Sequence, residues 1–220
     1  MDVDNDTSVR DGITEVLARH GRIDAVVASA GWGVAGAVEH TAIDEARAQV
    51  ETNFWGATRV VQRVLPAMRA QGEGRIVLIS SIGGVVAIPF QAFYSASKFA
   101  LEGLGESLAY EVAPFGVHVT LVEPGNIKTD FTASRRMARP AGDDPVYGVS
   151  VAKAVGLMER DEANGAPAHD VAVVVRRVLE SRRPPRRVSV GKASERAGLL
   201  AKRLMPFRAF EAAAKSSLGV

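Results

Sequence analysis

Residues 75–104, RIVLISSIGGVVAIPFQAFYSASKFALEGL, hold the two readings on which the fold turns. Arg75-Ile76-Val77-Leu78-Ile79-Ser80 is a short apolar run closed by Ser81 and Gly83-Gly84, the pattern of a strand followed by a turn. From about Ala92 the spacing changes. Phe99, Ala100, Leu101, Leu104, Leu108 and Ala109 spread round much of a helical circumference, so a helix running towards Pro114 is buried on more than one side.

The same alternation continues outward. Upstream, Thr7 or Ser8 is placed to cap a helix carrying Val9, Ile13, Val16 and Leu17, with Gly21 as its stop. Ile23 to Ser29 then reads as a strand covered on both faces. A helical stretch from about Ile43 to Ala70 follows, bent or divided near Asn53 and Pro66. Downstream, Val117 to Val122 is a strand closed by Pro124-Gly125, His169 to Arg183 an amphipathic helix, and Arg187 to Val190 a strand. Residues 126–167 have weak periodicity, several Pro and Gly, and a length that suits a functional lid or an insertion. Four repeats of strand and helix predict a parallel α/β sheet. Residues 191–220 predict a basic helical extension with Leu199, Leu200, Leu204, Phe207 and Phe210 on its apolar side.

At 220 residues, 47% hydrophobic and 24% charged, the chain has the makings of a globular core. It has no cysteine, which excludes disulfides, thiolate metal sites, CxxC redox chemistry and a cysteine nucleophile. His20, His40, His118 and His169 lack metal-ligand spacing, so no metal site is read. Residues 1–130 hold 10 Lys+Arg against 16 Asp+Glu, and residues 131–220 hold 17 against 9. The basic tail comes without a nucleic-acid motif and reads as a solvated helical surface. No apolar run approaches the ~20 residues of a membrane span, and the acidic first residues do not resemble a signal peptide. A cytoplasmic location is expected.

Gly31-Trp32-Gly33-Val34-Ala35-Gly36 matches G-x-G-x-x-G after a strand, but no helix opens on those glycines and Glu51 falls inside a helix, so it is not a dinucleotide fingerprint. Tyr94-Ser95-Ala96-Ser97-Lys98 carries more. Tyr and Lys four apart share a helical face, where an ammonium depresses a phenol pKa that is ordinarily about 10 and yields a proton donor or acceptor. Ser81 lies at the carboxyl end of a strand, where open α/β sheets bind ligands. Asn53 occupies a helical position at which packing alone favours an apolar residue.

Taken in order, Ala28-Ser29-Ala30-Gly31, Asn53, Ser81, Tyr94-x-x-x-Lys98 and Pro124-Gly125-Asn126-Ile127-Lys128-Thr129 resemble the short-chain dehydrogenase/reductase family, in wording closest to its 17β-hydroxysteroid dehydrogenase branch. The resemblance implies that Tyr94 is the general acid or base and that Lys98 lowers its pKa and holds the nicotinamide ribose. It implies that Ser81 binds the substrate oxygen and that Asn53 fixes a relaying water. Pro124, Gly125, Ile127 and Thr129 would line the nicotinamide, Ala30 and Gly31 would admit the ribose, and Asp2 and Val3 would sit at the adenine. The cofactor would be NAD or NADP.

Two departures accompany the resemblance. The family's Asn-Asn-Ala-Gly is here Ala28-Ser29-Ala30-Gly31, and the family's opening strands and glycine-rich pyrophosphate turn are missing. The expected fold is therefore a Rossmann-like, doubly wound parallel α/β sheet, N-terminally truncated. It would form a partial dehydrogenase domain over residues 1–190, with 126–167 as the substrate loop, and leave Ala25 to Ser29 an unpaired apolar edge. The expected function is hydride transfer between NAD(P)(H) and an apolar alcohol or ketone such as a steroid or lipid-like carbonyl, because Val85, Val86, Ile88, Phe90 and Phe131 flank the catalytic positions. The apolar helices near 53–70 and 92–114 imply a homo-oligomer. The rival expectation is a truncated, inactive chain serving as an interaction or dimerisation module.

Overall fold

The computed structural model describes residues 1–139 and 144–218, so the part of the expected substrate loop at 140–143 and the last two residues lie outside it. Helix α1 (Asp6–His20) is capped by Asn5, whose side chain accepts from the Ser8 backbone, and ends at Gly21 in the left-handed conformation. The cap is thus Asn5 and not Thr7 or Ser8. Asn5 is extended and acceptor-bearing one step before the first helical residue, which is what an N-cap needs. After β1 (Ala25–Ala28) and the short β2 (Val34–Ala35), α2 (Ile43–Val50) starts from Ala42. Thr41 spends its hydroxyl on the Ala37 carbonyl, and Glu45 reaches back to the Ala42 amide.

The helical stretch is divided where the sequence suggests, by a π-helical segment at Glu51–Gly56 before α3 (Ala57–Gln71), while Pro66 is carried inside α3. Next come β3 (Gly74–Ile79), a 3-10 turn at Ile82–Gly84, α4 (Ala92–Val112) and β4 (Val117–Pro124). The weakly periodic region contains β5 (Ile127–Lys128), α5 (Phe131–Ser134), β6 (Arg136–Met137), the sixteen-residue helix α6 (Gly148–Ala163) and β7 (Ala166–Pro167). Helix α7 (Ala168–Glu180), β8 (Arg187–Val190), α8 (Ala193–Leu204) and α9 (Phe207–Leu218) complete the chain.

The central sheet has the order β1-β3-β4-β8, all parallel. In β3, Val26 of β1 pairs with Ile76 and Val119 of β4 pairs with the same residue. Successive side chains of β3 point to opposite faces. Ile76 and Leu78 join Val119, Leu121 and the apolar sides of α1, α3 and α4, whereas Val77 and Ile79 face Val122, Val190 and α7. The sheet is therefore wound on both faces. Each fully buried Leu or Val here stabilises by roughly 1.5–3 kcal/mol. Strand β1 departs from the expected two-sided burial: Val26 and Ala28 pack on the helical core, but Val27 is 39% exposed and lines an open cleft, and among the described residues no strand pairs with the outer edge of β1.

Candidate active site

The carboxyl ends of β1, β3 and β4 open into a cleft of about 560 Å³. Gly31, Ser81, Tyr94, Lys98, Pro124, Gly125, Ile127 and Thr129 all line it, together with Ser29, Asn126, Glu162 and apolar residues from α7. Of the apolar residues expected around a substrate, Ile88 and Phe131 are in the cleft wall. Val85 instead lines a groove beneath α8, and Phe90 packs against Ala35 and Val151. Ile82, Val171 and Val175 take their places.

Tyr94 and Ser81 meet because the 3-10 turn after β3 faces the first turn of α4. Ser81 caps that turn by accepting from the Gly83 amide at 3.0 Å. The turn must be glycine. A Cβ on Gly83 would stand 3.2 Å from the Tyr94 ring, and one on Gly84 would stand 3.0 Å from the Lys98 carbonyl oxygen and 2.9 Å from Ser80 Oγ. Gly84→Ala should therefore push α4 off the turn, at a cost of about 1–3 kcal/mol. Thermal unfolding checks this, and an unchanged midpoint would show that the helix yields without loss.

Burial dominates the electrostatics. It pushes the Tyr94 phenol above its usual value, with the hydrogen bond from Ser81 drawing it partly back. Lys98, 4% exposed, is lowered to about 8 by the same cause, while Glu102 one turn further along α4 acts in the opposite direction. The Tyr94 phenol is thus raised and not depressed as expected, because burial outweighs the charges near it. Lys98 Nζ donates to the Ile79 carbonyl at 2.9 Å and lies 5.9 Å from the centre of the Tyr94 ring. The phenol is held neutral, as a proton donor must be.

Asn53 stands one layer behind. It sits in the π-helical segment, a local widening often found at functional sites. Its Oδ1 accepts from the Trp32 amide, and its Nδ2 donates to the Trp32 carbonyl and to Ser97 Oγ, each at 3.0 Å. Both amide hydrogens are thus spent on fastening the 31–32 loop to α4. Gly31 fits between: a Cβ there would meet Asn53 Oδ1 at 3.1 Å and Lys98 Nζ at 3.5 Å.

Ala30 is exposed beside Gly31 and does not line the cleft. Asp2 and Val3 lie elsewhere too. The Asp2 amide donates to Ser8 Oγ, and Val3 packs over Gly56 with its carbonyl held by Arg59. Sequence reasoning missed three contributors. Glu195 of α8 accepts from the Asn126 amide and side chain at 3.2 and 2.8 Å and so fixes the 125–126 loop, while Glu162 of the cleft wall is ion-paired to the buried Arg135 side chain behind it. A partner 69 residues away in sequence leaves no local signal.

A sheet whose cleft gathers a phenol, a hydroxyl and a buried ammonium at its strand ends is the architecture of a nucleotide-dependent dehydrogenase. The chain belongs to the short chain dehydrogenase family, whose model matches residues 1–140. It is 40% identical over 191 residues to a 3-ketodihydrosphingosine reductase of Bacteroides thetaiotaomicron, covering 87% of this chain and 71% of that one. A short-chain dehydrogenase from Streptomyces avermitilis superimposes with a TM-score of 0.80 and 33% identity over 92% of this chain and 73% of that one. A gluconate 5-dehydrogenase from Burkholderia cenocepacia in complex with NADP and tartrate does so with 0.58 and 30% over 67% and 55%.

Proposed function

We propose that this chain interconverts an apolar ketone and its alcohol with NAD(P)(H), and that Tyr94 delivers the proton to the carbonyl oxygen in reduction. The observation that carries this reading is the Tyr94 phenol, kept neutral by burial, with the Ser81 hydroxyl beside it and the Lys98 ammonium beneath it at the foot of an apolar cleft. The reductase of Bacteroides supports a lipid-like ketone, and a steroid is the second member of the same apolar class.

The cleft suits the nicotinamide half of a dinucleotide. Gly31, whose missing side chain lets the loop backbone lie against Asn53 and Lys98, leaves its cleft-facing side free for a ribose, and Pro124, Gly125, Ile127 and Thr129 form a wall for a flat ring. The residues of this wall would hold the nicotinamide, which would supply or take the hydride. Ser81 orients the substrate oxygen by hydrogen bonding, Tyr94 holds the proton at its hydroxyl, and the Lys98 ammonium offsets negative charge left on the phenol. Asn53 is a positioning residue that keeps the 31–32 loop against Lys98. Trp55, Phe99 and Tyr110, all exposed on the helical side, support self-association of the chain.

Titration of the purified chain with NADPH and NADH, followed by fluorescence and calorimetry, tests the reading. Micromolar binding with oxidation of the reduced cofactor by a long-chain ketone is the expected result. Absence of binding would overturn it in favour of a chain that serves only as an interaction module. Among the described residues no helix is long and apolar enough to cross a membrane.

A further inference from the structure

A second cavity shares no lining residue with the cleft. It lies beneath α8, bounded by α4, β4 and β8, and its volume of about 780 Å³ falls within the ~300–1,000 Å³ of ligand pockets. Val85, Ala109, Leu121 and Leu199 supply its apolar lining. Four arginines line it as well. Arg187 is ion-paired to Glu106 at 2.6 Å and to Glu102 at 3.3 Å. Arg186, Arg196 and Arg203 are exposed, and among the described residues no carboxylate pairs with any of them. Arg186 lies 4.8 Å from the centre of the Tyr110 ring instead. The remaining acid of the lining is the buried Glu123, which accepts from the Ser189 hydroxyl at 2.9 Å. Three unpaired guanidiniums thus share the groove with one carboxylate.

The sequence of α8 puts these groups in register. Arg196, Leu199, Leu200 and Arg203 follow the i, i+3, i+4, i+7 spacing of one helical face, and all four line the groove. The two arginines stand about 10 Å apart along the axis with leucine between them. A ligand matched to this surface is amphiphilic, with alkyl chain for the apolar lining and an anion for the guanidiniums, which bind such groups by charge-assisted, bidentate hydrogen bonds. The surplus of about two positive charges suits a phosphate monoester, which carries about −1.5 to −2 at pH 7 and three acceptor oxygens. Inorganic phosphate alone would meet exposed arginines in water, where ion pairs hold little. A nucleic acid is charged along its whole length and has nothing for the apolar lining.

We propose that this groove is a second ligand site, for a single-chain lipid with a phosphate monoester headgroup, with Arg186, Arg196 and Arg203 around the headgroup and Val85, Ala109, Leu121 and Leu199 along the chain. The site uses none of Ser81, Tyr94 and Lys98 and stands independently of the reductase reading.

Calorimetry of the chain with decyl phosphate, decanoate, decyl glucoside and inorganic phosphate, each below its micelle-forming concentration, is the test. Decyl phosphate should bind one to one, at least about threefold more tightly than decanoate, tenfold more tightly than decyl glucoside and a hundredfold more tightly than inorganic phosphate. The double variant Arg196→Gln, Arg203→Gln alters two exposed side chains, a change that leaves folds intact. It should lose at least about tenfold in decyl phosphate affinity while its decyl glucoside affinity and ketone turnover stay as in the native chain. Equal affinity for decyl phosphate and decyl glucoside, affinity that survives the two substitutions, or displacement of decyl phosphate by 2-decanone would overturn the site and leave the reductase intact. So would a chain that ignores monomeric decyl phosphate, whether it sediments with phosphatidylglycerol vesicles or closes the groove in a dimer. Tight, arginine-dependent binding of decyl phosphate by a chain that reduces no ketone would overturn the reductase reading and leave the groove site standing.

Discussion

Tyr94→Phe is expected to lower ketone reduction by about a thousandfold, within the 10²–10⁴ range for loss of a positioned general acid. Cofactor affinity should stay within about threefold, since the substitution removes one hydroxyl and leaves the ring. The ring is what packs, at 5.6 Å between centroids from Phe131 and 3.2 Å from the Cβ that Gly83 lacks. The fold should be nearly unperturbed, and Ser81 would keep its bond from the Gly83 amide. Steady-state kinetics alongside a cofactor titration separates the two quantities. A variant that retains a tenth of native turnover would dismiss Tyr94 as the proton donor.

Lys98→Met should act on turnover and stability in opposite directions. Lys98 is ordinarily near 10.5 and is lowered to about 8 by burial, so the folded state binds its proton less tightly than the unfolded state does. Below pH 8 both states are protonated and the folded chain bears the full cost of a buried ammonium, roughly 3 kcal/mol. Between pH 8 and 10.5 the unfolded chain holds more protons, and stability from this group rises. Methionine should therefore raise the unfolding free energy at pH 7 and flatten its rise above pH 8, while reduction falls by at least about a hundredfold for want of the charge beneath the phenol. Native turnover should also decline as pH passes about 8. Denaturant titrations at pH 7 and 9.5 check the stability claim, and a Lys98→Met chain less stable than the native one at pH 7 would refute it.

The sequence was most informative where chemistry is local. Tyr94 and Lys98 share a helical face by spacing alone, Ser81 and the paired glycines mark a strand end, and Asn53 in an apolar helix marks what proves to be a π-helical segment. It was silent on orientation. Nothing in a four-residue spacing says that Lys98 Nζ donates to the Ile79 carbonyl, or that burial outweighs neighbouring charge at the Tyr94 phenol. Helix α6 was missed because its buried positions, Val151, Ala154, Val155 and Met158, form only a narrow stripe. The pair of Arg135 and Glu162 spans 27 residues, and the Glu195 bond to Asn126 spans 69, so each depends on a tertiary fold that no short window contains.

That last bond also sets an order in time. Ribosomes deliver a chain from its amino end, at roughly 5–20 residues each second. Tyr94, Lys98 and the Asn126 loop will have emerged for several seconds before β8 can fill the sheet edge and Glu195 can tie the loop down. Through that interval the nascent cleft has its proton donor but not its wall. The reaction centre is thus completed late, although most of its residues are made in the first two thirds of synthesis.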